Sequence, residues 1–125
     1  MLIDKDSVII DNVKMAQYLK QAEIQFPKGW GDDTGRNTLS GDFSGTFKGI
    51  YPKLILTFRR LTQYEIELLC NIFDSPEQTT TYYDPKKKGL YTMQTYSNDW
   101  GIVSKRMKRF EGINVSFIAR KKRDI

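Results

Sequence analysis

The sequence predicts an α+β fold of mainly antiparallel β character with a single α-helix. Three observations predict it: several segments alternate apolar and polar residues with a period of two, one segment alone joins a helix cap to a 3.6-residue apolar stripe, and clusters of Gly, Pro, Asn and Asp separate these segments. The 125 residues are enough for one domain, 1–125, and too few for two independent cores. Within it an N-terminal arm (1–12), a glycine-rich extended loop (27–45) and a β-sheet core (46–123) with its helix at 62–74 are expected.

In chain order, Val8, Ile9 and Ile10 form an apolar cluster between Asp6 and Asp11, so the first dozen residues read as a short element or arm. From Tyr18 to Phe26, Tyr18, Lys20, Ala22, Ile24 and Phe26 share one face and Leu19, Gln21, Glu23 and Gln25 the other, the pattern of a half-buried strand. Residues 13–22 also fit a weak helix. Pro27 stops the strand, and the stretch to Gly45 holds five glycines, a length and composition of loop that is uncommon inside compact domains. Trp30 within it either folds back over the core or anchors another subunit, a role in which aromatics are enriched.

The strongest β signal follows from Thr46 to Arg60. Leu54, Leu56 and Phe58 point one way and Lys53, Thr57 and Arg59 the other, with Pro52 at the strand start. Phe43 and Phe47 fit an earlier half of one long strand bent at Gly49. Thr62-Gln63-Tyr64-Glu65 then forms a capping box, flanked by Leu61 and Ile66 at the staple positions. Ile66, Leu69, Cys70 and Phe73 recur at i, i+3, i+4 and i+7, and Asp74-Ser75-Pro76 ends a helix that must lie across a sheet. Residues 78–83 and 90–96 are strands joined by the turn residues Asp84 to Gly89. A further strand follows between Trp100 and Lys108, and the last carries Ile113, Val115, Phe117 and Ala119 on one face. Arg120 to Arg123 reads as a solvated basic tail.

Composition mainly excludes chemistry. There is no histidine and one cysteine, Cys70, which removes Ser–His–Asp and Cys–His catalysis, His-ligated zinc and an intramolecular disulfide. Asp32-Asp33 lies between glycines with no third ligand near, so solvated turn acids outweigh a metal site. Asp4, Asp6 and Asp11 are spaced acids. Cys70 sits in the helix stripe, which makes it a buried, inert thiol. The segment Pro27 to Gly31 lacks P-loop spacing. No catalytic residue, cofactor or metal site follows, and the chain reads as a non-enzyme with no small-molecule substrate. The opening residues are acidic where a signal peptide is basic, no apolar run is long enough to span a bilayer, and a soluble protein is expected. The net charge of +5 and pI near 9.3 permit an acidic partner. Basic clusters at Lys86-Lys87-Lys88, at Lys105 to Arg109 and at Arg120 to Arg123, with Tyr82, Tyr83 and Tyr91 near, keep open the alternative of a basic nucleic-acid-binding module.

The order of features carries a resemblance. Gly35-Arg36-Asn37 precedes a strand, Pro52 to Phe58; Leu61-Thr62-Gln63-Tyr64-Glu65 opens a helix; Thr81-Tyr82-Tyr83-Asp84-Pro85 leads into a hairpin that closes on Tyr96-Ser97-Asn98-Asp99-Trp100; Gly112 to Arg120 is the closing strand. Over roughly residues 30 to 120 this resembles a family of small tail proteins of tailed bacteriophages and prophages. The resemblance implies a tail-tube-like fold, a β-sandwich or small barrel flanked by one helix. It also implies subunits joined edge to edge in a ring, commonly a hexamer, with the extended loop packed on a neighbour. The expected setting is the virion tail, assembled in the host bacterial cytoplasm, with other tail proteins and passing DNA as partners and no membrane. Tube lumens in that family are often acidic whereas this chain is basic, so a connector, tail-completion or baseplate-hub position fits beside a tube position. The expected inter-subunit contacts are Trp30, Arg36, Leu39 and Phe43, with Lys86, Lys87 and Lys88 as a second contact or a lumen-facing cluster.

Overall fold

The computed structural model of the chain describes residues 1–30, 35–36, 43–107 and 109–123. Its strands are β1 (Leu2–Ile3), β2 (Ile9–Ile10), β3 (Val13–Lys14), β4 (Leu19–Gln25), β5 (Lys28–Trp30), β6 (Gly35–Arg36), β7 (Phe43–Ser44), β8 (Phe47–Ile50), β9 (Lys53–Phe58) and β10 (Leu61–Thr62). The helix α1 (Gln63–Phe73) comes next, then β11 (Gln78–Asp84), β12 (Gly89–Ser97), β13 (Ser104–Arg106), β14 (Arg109–Glu111) and β15 (Asn114–Ala119). Among the described residues every pairing is antiparallel, and the largest sheet runs β1-β4-β9-β15-β12-β11-β2-β3. Among the described residues no helix is long and apolar enough to cross a membrane.

The sheet is curled into a half-barrel, and the first ten residues explain the curl. β1 bonds to β4 towards one margin and β2 to β11 towards the other, with five strands between them. In a flat sheet those six intervals would span roughly 29 Å. Ile3 and Ile9 are six residues apart, about 20 Å when fully extended, and a 3₁₀ turn at Lys5–Ser7 shortens the link further. Only a curled sheet lets so short a link reach both sides. The expected N-terminal arm is therefore part of the body: Val8 and Ile10 are fully buried. Asp11 and Asn12, both at positive φ, turn the two-residue hairpin between β2 and β3.

The inward face carries the predicted alternation on β9 (Leu54, Leu56, Phe58) and β15 (Val115, Phe117, Ala119), all buried. β4 departs from it. A bulge at Lys20, between the pairings of Leu19 with Phe58 and Gln21 with Thr57, shifts the side-chain phase, so Leu19 is buried beside Ala22 and Ile24. The alternative weak helix over 13–22 is replaced by β3, a 3₁₀ turn at Ala16–Tyr18 and the start of β4. The strand expected from Thr46 to Arg60 is divided at Tyr51-Pro52 into β8 and β9, which belong to different sheets. The strand expected near 100–108 is the short β13, joined with β14 and β10 in a small second sheet.

The helix starts where the capping box places it: the Glu65 N–H donates to the Thr62 hydroxyl and the Thr62 N–H donates to the Glu65 carboxylate. Arg59, donating from Nη2 to Glu65 at 2.6 Å, together with the Thr62 contacts, holds that carboxyl at about 2 against the opposing effect of burial. Ile66, Leu69, Ile72 and Phe73 form the buried stripe, and Cys70 is only partly buried, because the contact face is rotated towards Ile72. Burial, with the charges of Asp74 and Glu67, pushes the Cys70 thiol up. Phe73 packs on Phe58, Trp100 and Phe117 at 5.3, 5.0 and 6.3 Å between ring centres, so the helix covers the inward face of the sheet. The buried Gln78 amide donates to the Ile72 and Ser75 carbonyls and so ties the start of β11 to the end of the helix, where the Ile72 carbonyl also accepts from the Ser75 N–H.

Two measurements test this arrangement. Ile10→Ala should lower the unfolding free energy in urea by about 3 kcal/mol, whereas a residue on a loose arm would change it by well under 1 kcal/mol. Thr62→Ala should cost about 1 kcal/mol in the same assay.

Candidate functional site

The segment expected as a glycine-rich loop is a β-arm. β4 and β9 continue past Pro27 and Pro52 into β5 and β8: Gln25 pairs with Lys53, Lys28 with Ile50, and the Tyr51 N–H donates to the Pro27 carbonyl. Farther out, Gly35 pairs with Ser44 and Arg36 with Phe43. The two prolines interrupt the ladder, each lacking an N–H, and separate the arm from the main sheet. Among the described residues, β5 and β8 pair with each other and with no third strand.

Local sequence shapes the arm. Gly29 pairs with Gly49 and Trp30 with Phe47, so Lys48 is the extra residue of a bulge. The bulge leaves Trp30 and Phe47 directly paired, with ring centres 5.2 Å apart at 56°. Trp30 is 41% exposed and Phe47 51%, and both lie outside the core cluster. Trp30 thus stands on the arm and does not fold back over the core. Gly29 is needed because the Tyr51 ring lies where a Cβ would sit, at 2.6 Å. Gly49, at φ +134, receives the Lys122 side chain in the same way at 2.8 Å.

Of the expected contact residues, the structure puts Trp30, Arg36 and Phe43 on this one arm, and Leu39 lies outside the described residues, as do Asp32 and Asp33. Lys86, Lys87 and Lys88 form the exposed turn between β11 and β12, and Lys87 Nζ rests 4.5 Å from the centre of the Tyr91 ring. Phe47, Lys48 and Tyr51 join Trp30, Arg36 and Phe43 on the arm although no sequence motif marks them as contacts; the nearby Gly45 and Gly49 are the local signal.

The arm root is held by a buried polar cluster that sequence does not reveal. The expected solvated tail, Arg120 to Arg123, is fastened along its length. The Arg120 N–H donates to the Gln94 carbonyl and the Arg123 N–H to the Ile50 carbonyl, and Arg120 pairs with Glu77. The Arg123 guanidinium, 8% exposed, donates to both Asp84 oxygens at 3.3 Å and lies 4.5 Å over the Phe26 ring. Asp84 is fully buried and also accepts from the Tyr82 hydroxyl at 3.0 Å and the Lys86 N–H at 2.9 Å. Burial alone would raise the Asp84 pKa, but the Lys86 N–H, the Tyr82 hydroxyl and Arg123 together outweigh it and set it below the ordinary value. Tyr82 is pushed up, first by burial and then by the Asp84 charge. The cluster joins β11, the end of β4 and the chain's C-terminal run at the base of the arm.

Asp84→Asn should cost about 3 kcal/mol by leaving the Arg123 charge buried without its counter-ion, while Asp84→Leu/Arg123→Met should recover much of that loss. Because the folded-state values of Asp84 and Glu65 both lie low, the stability they contribute is complete above the unfolded carboxylate range and is lost as pH falls through the folded values. Urea midpoints should therefore drop between about pH 4.5 and pH 2, the window set by Glu65.

A scan against protein-family models, a search of curated proteins and a search of solved structures found no match to this chain.

Proposed function

We propose that this protein is a structural, non-enzymatic subunit of a phage tail that assembles into a ring through its β-arm. The arm carries the reading: a two-stranded ribbon with an exposed Trp30–Phe47 pair, standing off the body that its own strands β4 and β9 build. A ribbon of two strands is marginal in water and gains stability by packing on a further surface. An exposed Trp–Phe pair is the kind of anchor that concentrates binding energy at interfaces. The main sheet favours the arm over its own margins, since the edge strands β1 and β3 hold two residues each and present few free main-chain groups. A head-to-tail contact from the arm of one copy to the body of the next closes into a ring when the rotation permits. The similarity in motif order to small tail proteins supplies the setting, with six copies, tail-protein neighbours and a tube, connector or hub position as its implications.

Size-exclusion chromatography with light scattering should give a ring-sized particle for the native chain. Trp30→Ala/Phe47→Ala should elute as a folded monomer with unchanged far-UV circular dichroism. A monomeric native chain, or rings unaffected by the double substitution, would rule the reading out.

A further inference from the structure

The tail residues Arg120, Lys121 and Lys122 share a shallow cleft of about 630 Å³ with Lys48 and Tyr51 of the arm root. A smaller hollow shares Lys121 and Lys122 with it and is otherwise lined by Tyr91 to Gln94 of β12. We propose that this groove binds the phosphodiester backbone of a nucleic acid strand. The proposal is independent of whether the arm drives assembly.

Three features build the groove. The Arg123–Asp84 contact and the Arg123 N–H to Ile50 bond pin the end of the tail, so Lys121 and Lys122 are held in place and are not part of a loose end. The bulge at Lys48 brings a cation from far away in the sequence to the same cleft. The absence of a side chain at Gly49 lets the Lys122 stem lie directly on the arm. Lys48, Lys121 and Lys122 are exposed and form no ion pair among the described residues, whereas Arg120 is matched by Glu77.

Charge and ring placement favour a nucleic acid over an acidic protein. Unmatched ammonium groups along a groove suit a backbone of regularly spaced phosphates, whose binding releases counter-ions. Tyr51 lines one end, where an aromatic ring takes a stacked base, while the Tyr91 ring at the other end is already engaged by Lys87 and Tyr82.

The test is fluorescence anisotropy with a labelled 20-nucleotide oligo-dT and a labelled 20-base-pair duplex, at several salt concentrations. With about three phosphates engaged, the log–log salt slope should be about −2 on the single strand and nearer −3 on the duplex. Lys121→Glu/Lys122→Glu should weaken binding by at least about tenfold, and Lys48→Glu alone by several-fold, with circular dichroism unchanged. Lys105→Glu/Arg109→Glu, an equal charge change on β13 and β14, should leave affinity within about twofold. Absence of DNA binding, equal loss in the Lys105/Arg109 variant, an inert Lys48→Glu, or displacement of DNA by polyglutamate at equal charge would each overturn the proposal. Tighter binding of the single strand assigns Tyr51 to base stacking, and equal binding of both forms assigns the site to the backbone alone; either outcome supports it.

Discussion

The architecture depends on one geometric constraint: residues 1–10 supply strands towards both margins of the same sheet. β1 and β2 are separated by five residues in the chain and by five strands across the sheet. A flat sheet cannot satisfy both attachments, so the sheet curls and gains a concave side. That concavity is what the helix and the residues Val8, Ile10 and Met15 fill, all within one apolar cluster. The same constraint leaves only two-residue strands at the margins, which blunts both edges against pairing with other chains. The β-arm is then the extended ribbon that remains for such contacts among the described residues.

A second constraint is electrostatic. Asp84 and Arg123 lie 39 residues apart and meet in the interior at the base of the arm. Taking both charges out of water is costly, and the Tyr82 hydroxyl and Lys86 N–H donating to Asp84, with the Phe26 ring under the guanidinium, offset part of that cost, while Arg123 Nε stays buried without a hydrogen bond among the described residues. Such a cluster contributes less to net stability than to uniqueness. It admits one position for Arg123, and with it one position for Lys121 and Lys122 beside Lys48. The proposed interface and the proposed groove share this root: one uses the aromatic pair farther along the arm, the other the cations at its base.

Much of the local structure was legible in sequence because it depends on neighbours within a few residues. The helix needed only Thr62, Glu65 and the apolar stripe after them, and β9 and β15 needed only their alternation. The errors occur where distant segments decide. Leu19 is phased inward by a bulge set against Phe58, a pairing no window around Leu19 contains. Cys70 cedes its core position to Ile72 because the sheet, not the helix, selects the buried face. Glycine and proline in 27–52 read as a loop, although the same residues relieve close contacts and interrupt a ladder in a paired arm.

By itself the sequence determined the mainly antiparallel β character with a helix, the position and capping of that helix, the inward faces of β9 and β15, and the exclusion of histidine- and disulfide-based chemistry. These follow from short-range periodicity, local hydrogen bonding and composition. Only the tertiary structure decided the curl of the sheet, the burial of the N-terminal segment, the paired state of the arm and the anchoring of the basic tail. Each of those rests on contacts between residues far apart in the chain, whose meeting depends on how loop lengths, strand order and buried charge are satisfied together.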